Sequence, residues 1–138
     1  MDAYRHFGVY AIWRQDGCIV LVRKARGPYD GLLDLPGGSP ERGESEVTAL
    51  RRELQEECGV ELTQVLHTVA FEFHVGRDSA GRPIAFTHTG LISYVEVAGP
   101  IVENIEAEDV QGAILATPAD AVTFSPLVRE ALRHFPDL

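Results

Sequence analysis

Glu53, Glu56 and Glu57 stand three and four residues apart in a run without helix breakers, and that spacing gathers their carboxylates on one patch of a helix surface. Like charges so placed cost a few tenths of a kcal/mol per pair, and the negative end of the helix dipole adds to the cost. A divalent cation reverses both terms. An all-oxygen donor set points to Mg²⁺, with Mn²⁺ as substitute, and Mg²⁺ uses few carboxylates while keeping waters and taking substrate phosphates. An acidic helix face on its own is usually only solvated surface, so its surroundings decide the reading.

Those surroundings are built to position the patch. From Ser45, an expected N-cap, the run EVTALRRELQEEC continues in good helix formers to Gly59, a residue suited to the left-handed position past a helix end. Val47, Leu50, Leu54 and Cys58 form a narrow apolar stripe that should dock the helix and leave the glutamates facing away from it. Ahead of it, LPGGSPERGE is stiffened by Pro36 and Pro40, while Gly37, Gly38 and Gly43 permit tight turns and close backbone approach to a ligand. Exposed N–H groups in such a loop can meet phosphate oxygens.

Gly38, Glu44 and the run Arg52-Glu53-Leu54-Gln55-Glu56-Glu57-Cys58-Gly59-Val60 fit the pattern G-x5-E-x7-R-E-U-x-E-E-x-G-U, where U is aliphatic. The stretch resembles an unbroken Nudix box. The preceding VLVRKARGPYDGLLDLPGG is also similar to the strand, loop and strand that lead into such a box. The resemblance implies an α/β fold, the Nudix-type α/β/α sandwich with a mixed β-sheet between helices, and a small MutT-like pyrophosphohydrolase. It implies Glu53, Glu56 and Glu57 as metal ligands, with Glu44 and Arg52 completing the catalytic set and Arg52 oriented to pair with a carboxylate such as Glu44. It also places Arg23 where relatives often put a residue that contacts phosphate. The general base would be a box glutamate or a later acid, with Glu108 and Asp109 preferred over Glu103 and Glu106.

Composition frames this reading. The 138 residues have the size of a single domain, 45% apolar and 24% charged, with a net charge of −9 that disfavours long nucleic acid. Cys18 and Cys58 are far apart in apolar contexts and read as reduced core residues. MDAYRHFG carries neither the basic nor the apolar part of a signal peptide, and no apolar run is long enough to span a bilayer. A cytoplasmic protein with a small-molecule nucleotide substrate and no membrane partner is expected; whether it is a homodimer stays open.

The remaining elements follow from alternation. Residues 7–13 and 18–23 should pair antiparallel about Asp16-Gly17, a strong hairpin signal, and residues 32–35 form a short strand. A second hairpin, 61–75 with 84–97, places Phe71 and Phe73 on one face and Glu72 and His74 on the other, with Phe86 and His88 opposite. Gly37 and Gly38 from the loop, with Phe73 and His74 from this hairpin, are the expected substrate-binding residues beside Arg23. VQGAILA is a further strand, and Thr117-Pro118 and Ser125-Pro126 each open a helix, the last burying Leu127, Val128, Ala131, Leu132 and Phe135.

The function so expected is Mg²⁺-dependent hydrolysis of a phosphoanhydride in a nucleoside diphosphate linked to another moiety, foremost a (deoxy)nucleoside triphosphate. An ADP-ribose or other nucleotide-sugar pyrophosphatase is the alternative. The Tyr and Pro markers that relatives for dinucleoside polyphosphates and ADP-ribose often carry some sixteen residues past the box are absent from VGRDSAG. A Nudix-fold isomerase or a ligand sensor is a non-hydrolase alternative, disfavoured by the intact set of box acids.

Overall fold

Strand β1 (Ala3–Ile12) is buried on both faces over its second half, and the rest of the fold is arranged by where those faces point. In the computed structural model, which describes residues 2–103 and 109–138, Val9, Ala11 and Trp13 enter one apolar cluster while Tyr10 and Ile12 enter another. The period-two alternation of a strand makes this division automatic.

Two sheets share these cores. In the first, β1 lies between the two-residue strand β5 (Gly37–Gly38), antiparallel, and β7 (Pro83–Ala98), parallel, and β7 pairs antiparallel with β6 (Glu61–Arg77). In the second, β3 (Cys18–Lys24) pairs with β2 (Arg14–Gln15), β4 (Leu33–Asp34) and β8 (Val110–Ala116), all antiparallel. The Asp16-Gly17 turn forms as expected, with both residues at positive φ (52° and 78°). The hairpin it closes is short, however. Only Arg14 and Gln15 pair with β3, whereas β1 itself runs parallel to β7 from the distant second hairpin, a pairing that local alternation does not encode.

Helix α1 (Glu46–Cys58) starts where Ser45 Oγ accepts from Thr48 N at 3.1 Å and stops at Gly59, whose φ is 70°. Its docking face corrects the expected stripe. Ala49, Leu50, Leu54 and Cys58 are buried, but Val47 is 46% exposed and Glu57 only 4%. The helix is rotated about its axis so that Ala49 takes the place assigned to Val47 and Glu57 turns inward with it. Helix α2 (Pro126–His134) opens with Ser125 Oγ accepting from Val128 N and buries Leu127, Val128 and Ala131 in the second cluster, with Leu132 and Phe135 half-buried. Thr117-Pro118 opens a 3₁₀ turn (Pro118–Thr123), in which the Asp120 carboxylate accepts from Thr117 N at 2.9 Å. With α1 on one cluster and α2 on the other, one mixed and one antiparallel sheet lie between helices. Both cysteines are free, and among the described residues no helix is long and apolar enough to cross a membrane.

Candidate active site

The Gly loop and α1 meet because nothing projects between them. A Cβ on Gly37, whose φ is 143°, would lie 2.1 Å from Val9 O, so only glycine lets β5 close on β1. A Cβ on Gly38 would lie 2.9 Å from Glu53 Oε1, so that carboxylate comes up against the loop backbone. The loop therefore forms one wall of a cleft of about 660 Å³, and Glu53, Glu56 and Glu57 of α1 form another.

Arg52 organises the acids. Its Nε and Nη2 donate to Glu44 Oε2 and Oε1 at 2.8 and 2.9 Å, a bidentate fork, and its Nη1 donates to Glu53 Oε1 at 2.9 Å and to Glu56 Oε2 at 3.3 Å. Nη2 also reaches Ser39 O at 3.4 Å, tying the helix to the loop. Paired with Arg52, and accepting from Glu41 N, Glu44 is held down at a pKa of about 2. Glu57 is the opposite case. Its Oε1 accepts from Gly37 N at 2.9 Å, but burial outweighs that bond and, with Glu53 close by, pushes its pKa up to about 8. Burial likewise raises Glu53.

Among the described residues no three His, Cys, Asp or Glu side chains converge as a ready-made metal cage. The reason is Arg52, which draws Glu53 and Glu56 to itself, while Glu57 is turned to the Gly37 amide. In kind the donors fit a hard divalent cation. They are all oxygen, they line one cleft, and the raised pKa values of Glu53 and Glu57 are the shifts that a nearby cation lowers.

Apart from Arg52, the cations of the cleft are not those expected. Arg23 is exposed and directed to Gly31 O at 3.5 Å, off the cleft, while Lys24, Arg26 and Arg5 line it. The β3–β8 register shifts between Val22 and Lys24, so simple alternation through Arg23 does not predict which side chain faces the cleft. Phe73 and His74 also lie outside the lining. Phe73 is half-buried with its ring centre 5.5 Å from that of His88, and exposed His74 bonds Thr87 Oγ1 at 2.8 Å. Of the later acids, Asp109 lines the cleft and pairs with Arg26, Glu103 is exposed and bridges to Ala113, and Glu106 and Glu108 lie outside the described residues.

Sequence reasoning passed over Tyr10, Tyr29 and Asp34, all buried and all lining the cleft, and gave His88 no role beyond its place on the second hairpin. Tyr10 sits in an apolar strand run and looks like core. Asp34 carries the one available signal, an acid inside a short apolar strand; it accepts from Ser125 Oγ at 2.6 Å and burial raises its pKa.

The model of the NUDIX domain family matches residues 3–137, and the chain belongs to that family. Members that are hydrolases generally need divalent metal ions and act on small nucleotide substrates. The chain is similar to an 8-oxo-dGTP diphosphatase of Proteus vulgaris, 37% identical over 62 residues, which cover 44% of this chain and 55% of that protein. The chain thus matches little more than half of that relative's length. The E. coli ORF135 protein, solved in solution, is 28% identical with a TM-score of 0.67 over 99% of this chain and 91% of its own. The NUDIX domain of Shewanella oneidensis NrtR, solved with ADP ribose, shares the fold at 20% identity and a TM-score of 0.61 over 97% and 90%.

Proposed function

We propose that residues 1–138 act as one hydrolase domain that cleaves a phosphoanhydride of a nucleoside diphosphate linked to another moiety, foremost a (deoxy)nucleoside triphosphate, with Mg²⁺. The observation that carries this reading is the Arg52-centred set of Glu44, Glu53 and Glu56 facing, with Glu57, a glycine loop across one cleft. The partial likeness to an 8-oxo-dGTP diphosphatase adds oxidised purine triphosphates to the candidate substrates. A cytoplasmic site of action goes with a substrate drawn from the nucleotide pool.

Glu53, Glu56 and Glu57 are the residues that would hold Mg²⁺, which when bound supplies neutralisation of phosphate charge and a more acidic water. Arg52 holds Glu44 ionised by a fork that a point charge cannot reproduce, and its Nη1 fixes the rotamers of Glu53 and Glu56. The Gly loop walls the cleft where the phosphates would lie, its Gly37 amide holding Glu57. Lys24 and Arg26 add positive charge to the same cleft, and Asp109, which lines it and pairs with Arg26, is the described acid of the later loop that we take as a candidate, beside the box glutamates, for orienting or deprotonating water. Ser39, the box serine on the cleft wall, gives its hydroxyl proton to Phe7 O at 2.9 Å instead of to a base that would make it a nucleophile, so the entering oxygen comes from solvent in a single displacement at phosphorus.

A panel of nucleoside triphosphates, an oxidised purine triphosphate and ADP-ribose, assayed with Mg²⁺ in ¹⁸O-labelled water, tests this. The expected result is one label on one phosphate-bearing product, which also identifies the phosphorus attacked. A covalent adduct trapped in a single-turnover quench, isomerised product without label, or no turnover of any member overturns the hydrolase reading.

A further inference from the structure

The cleft is lined by a second group of residues that the phosphate chemistry does not use. Tyr10 Oη lies 2.8 Å from His88 Nε2, and Tyr29 Oη lies 2.8 Å from His88 Nδ1. His88 is 2% exposed, with the rings of Phe71, Phe73 and Phe86 centred 5.2, 5.5 and 5.2 Å away. Burial, with the nearby His6 and Lys24 adding to it, holds its pKa down at about 3, so the imidazole is neutral.

A neutral imidazole has one N–H and one lone pair. One tyrosine therefore donates its O–H to the ring, and the other receives the ring N–H. That second tyrosine keeps its own proton for a different acceptor. Among the described residues neither hydroxyl has a hydrogen-bond partner other than His88, and both tyrosines line the cleft. The spare proton of one and the spare lone pairs of the other are thus available to whatever occupies it. This holds for either tautomer.

The arrangement is built rather than incidental. A Cβ on Gly8 would lie 2.3 Å from Tyr10 Oη, so the hydroxyl reaches His88 only because position 8 carries no side chain. Apolar residues would fill the same volume without the cost of burying three polar groups. Around the trio stand a buried acceptor, Asp34, and a flat wall where the Tyr4 ring stacks on Phe86 at 4.8 Å with an interplanar angle of 21°.

We propose that Tyr10, His88 and Tyr29 select the ring of the substrate: the two hydroxyls offer one donor and one acceptor to the edge of a nucleobase, and His88 is the positioning residue that keeps them in opposite roles. The ligand class rests on the nucleotide reading above. The residues and their hydrogen-bond logic do not.

Equilibrium binding of nucleoside monophosphates, including an oxidised purine, against ribose 5-phosphate tests this without turnover. At least one nucleotide should bind the native chain about tenfold or more tightly than the base-free ligand. Tyr29→Phe and His88→Phe should each shrink that ratio toward one and leave ribose 5-phosphate binding unchanged, while ¹⁵N spectra of the native chain show His88 as a single neutral tautomer at mildly acidic pH. A native ratio near one, a ratio that survives both substitutions, equal loss of both ligands, or a His88 that titrates as an exposed imidazole overturns the proposal. If one variant fails to fold, the native ratio, the native spectrum and the other variant still decide it. A chain that binds nucleotides selectively but releases no phosphate overturns the hydrolase reading alone.

Discussion

Glu56 and Glu57 are adjacent in sequence and share a cleft, yet their surroundings set them apart. Glu56 is exposed and paired with Arg52, whereas Glu57 is 4% exposed and bonded to the Gly37 amide. Glu56→Gln and Glu57→Gln should each lower turnover at least about 100-fold, the scale of losing a group that holds or orients a metal. Glu57→Gln should still fold, since its amide oxygen can go on accepting from Gly37 N. Circular dichroism melts beside the assays check this, and an unfolded Glu57→Gln would make that carboxylate structural. Arg52→Lys should lower kcat more than it raises KM, because an ammonium cannot span both oxygens of Glu44 while also reaching Glu53. A raised KM with kcat unchanged would assign Arg52 to substrate binding.

His88 gives a pH dependence whose sign is fixed by its burial. Its folded pKa is about 3, below the ordinary 6.5, so between these values the unfolded chain binds the extra proton. Stability from this group is fully present above about pH 6.5 and falls as the pH drops toward 3, by at most about 1.4 kcal/mol per pH unit. Tyr10 and Tyr29 bond the His88 ring and His6 and Lys24 lie near it, while Asp34, the carboxyl beside the tyrosines, is itself buried, raised in pKa and bonded to Ser125, so it makes no ion pair with the imidazole. Denaturant melts at several pH values should therefore show a shallower acid loss in His88→Phe than in the native chain, and equal slopes would place His88 in contact with solvent or an acid.

At the scale of elements, α1 was the most legible part of the chain because its ends are local chemistry: a serine hydroxyl on an amide three residues on, and a glycine at positive φ. Its rotation was not legible. Val47 and Ala49 are both acceptable core residues, and only the sheet beneath decides that Ala49 is buried and Val47 is not. The Asp16-Gly17 turn was legible for the same local reason, but the parallel partner of β1 lies some eighty positions away in register, as Tyr4 opposite Phe86 shows. The site divides likewise. Spacing within one helix exposed Glu53, Glu56 and Glu57, whereas Tyr10, Tyr29, Asp34 and His88 come together only through the pairing of distant strands and a loop. Leu54, fully buried at the centre of α1, tests the docking: Leu54→Ala should cost about 2 to 5 kcal/mol in denaturant unfolding. A loss below 1 kcal/mol, on the order of an exposed position, would mean the helix is held by its ends.

Across the whole molecule the acids exceed the bases by nine, and six of the acids, Glu41, Glu53, Glu56, Glu57, Asp34 and Asp109, share the space of the cleft. Arg52 offsets part of this charge, and Lys24, Arg5 and Arg26 stand along the same walls. What is left is repulsion that is largest in the native state, because folding brings Asp34, Glu41 and Asp109 up to box glutamates that are near neighbours in the unfolded chain as well. A cation that binds only the folded cleft must therefore raise stability, by RT ln(1 + [L]/Kd), or about 2.7 kcal/mol at a hundredfold excess over Kd. Mg²⁺ or Mn²⁺ should raise the melting temperature above that in NaCl of matched ionic strength, since screening alone acts on every surface charge and specific binding acts on this cluster. The rise should grow when a nucleotide is added, whose phosphates complete the oxygen shell. It should shrink in Glu56→Gln, which removes a donor from the exposed side of the cluster without touching the core. Equal melting temperatures in MgCl₂ and matched NaCl, with and without nucleotide, would leave the glutamates of α1 as an acidic face held by Arg52 and remove the metal from the mechanism.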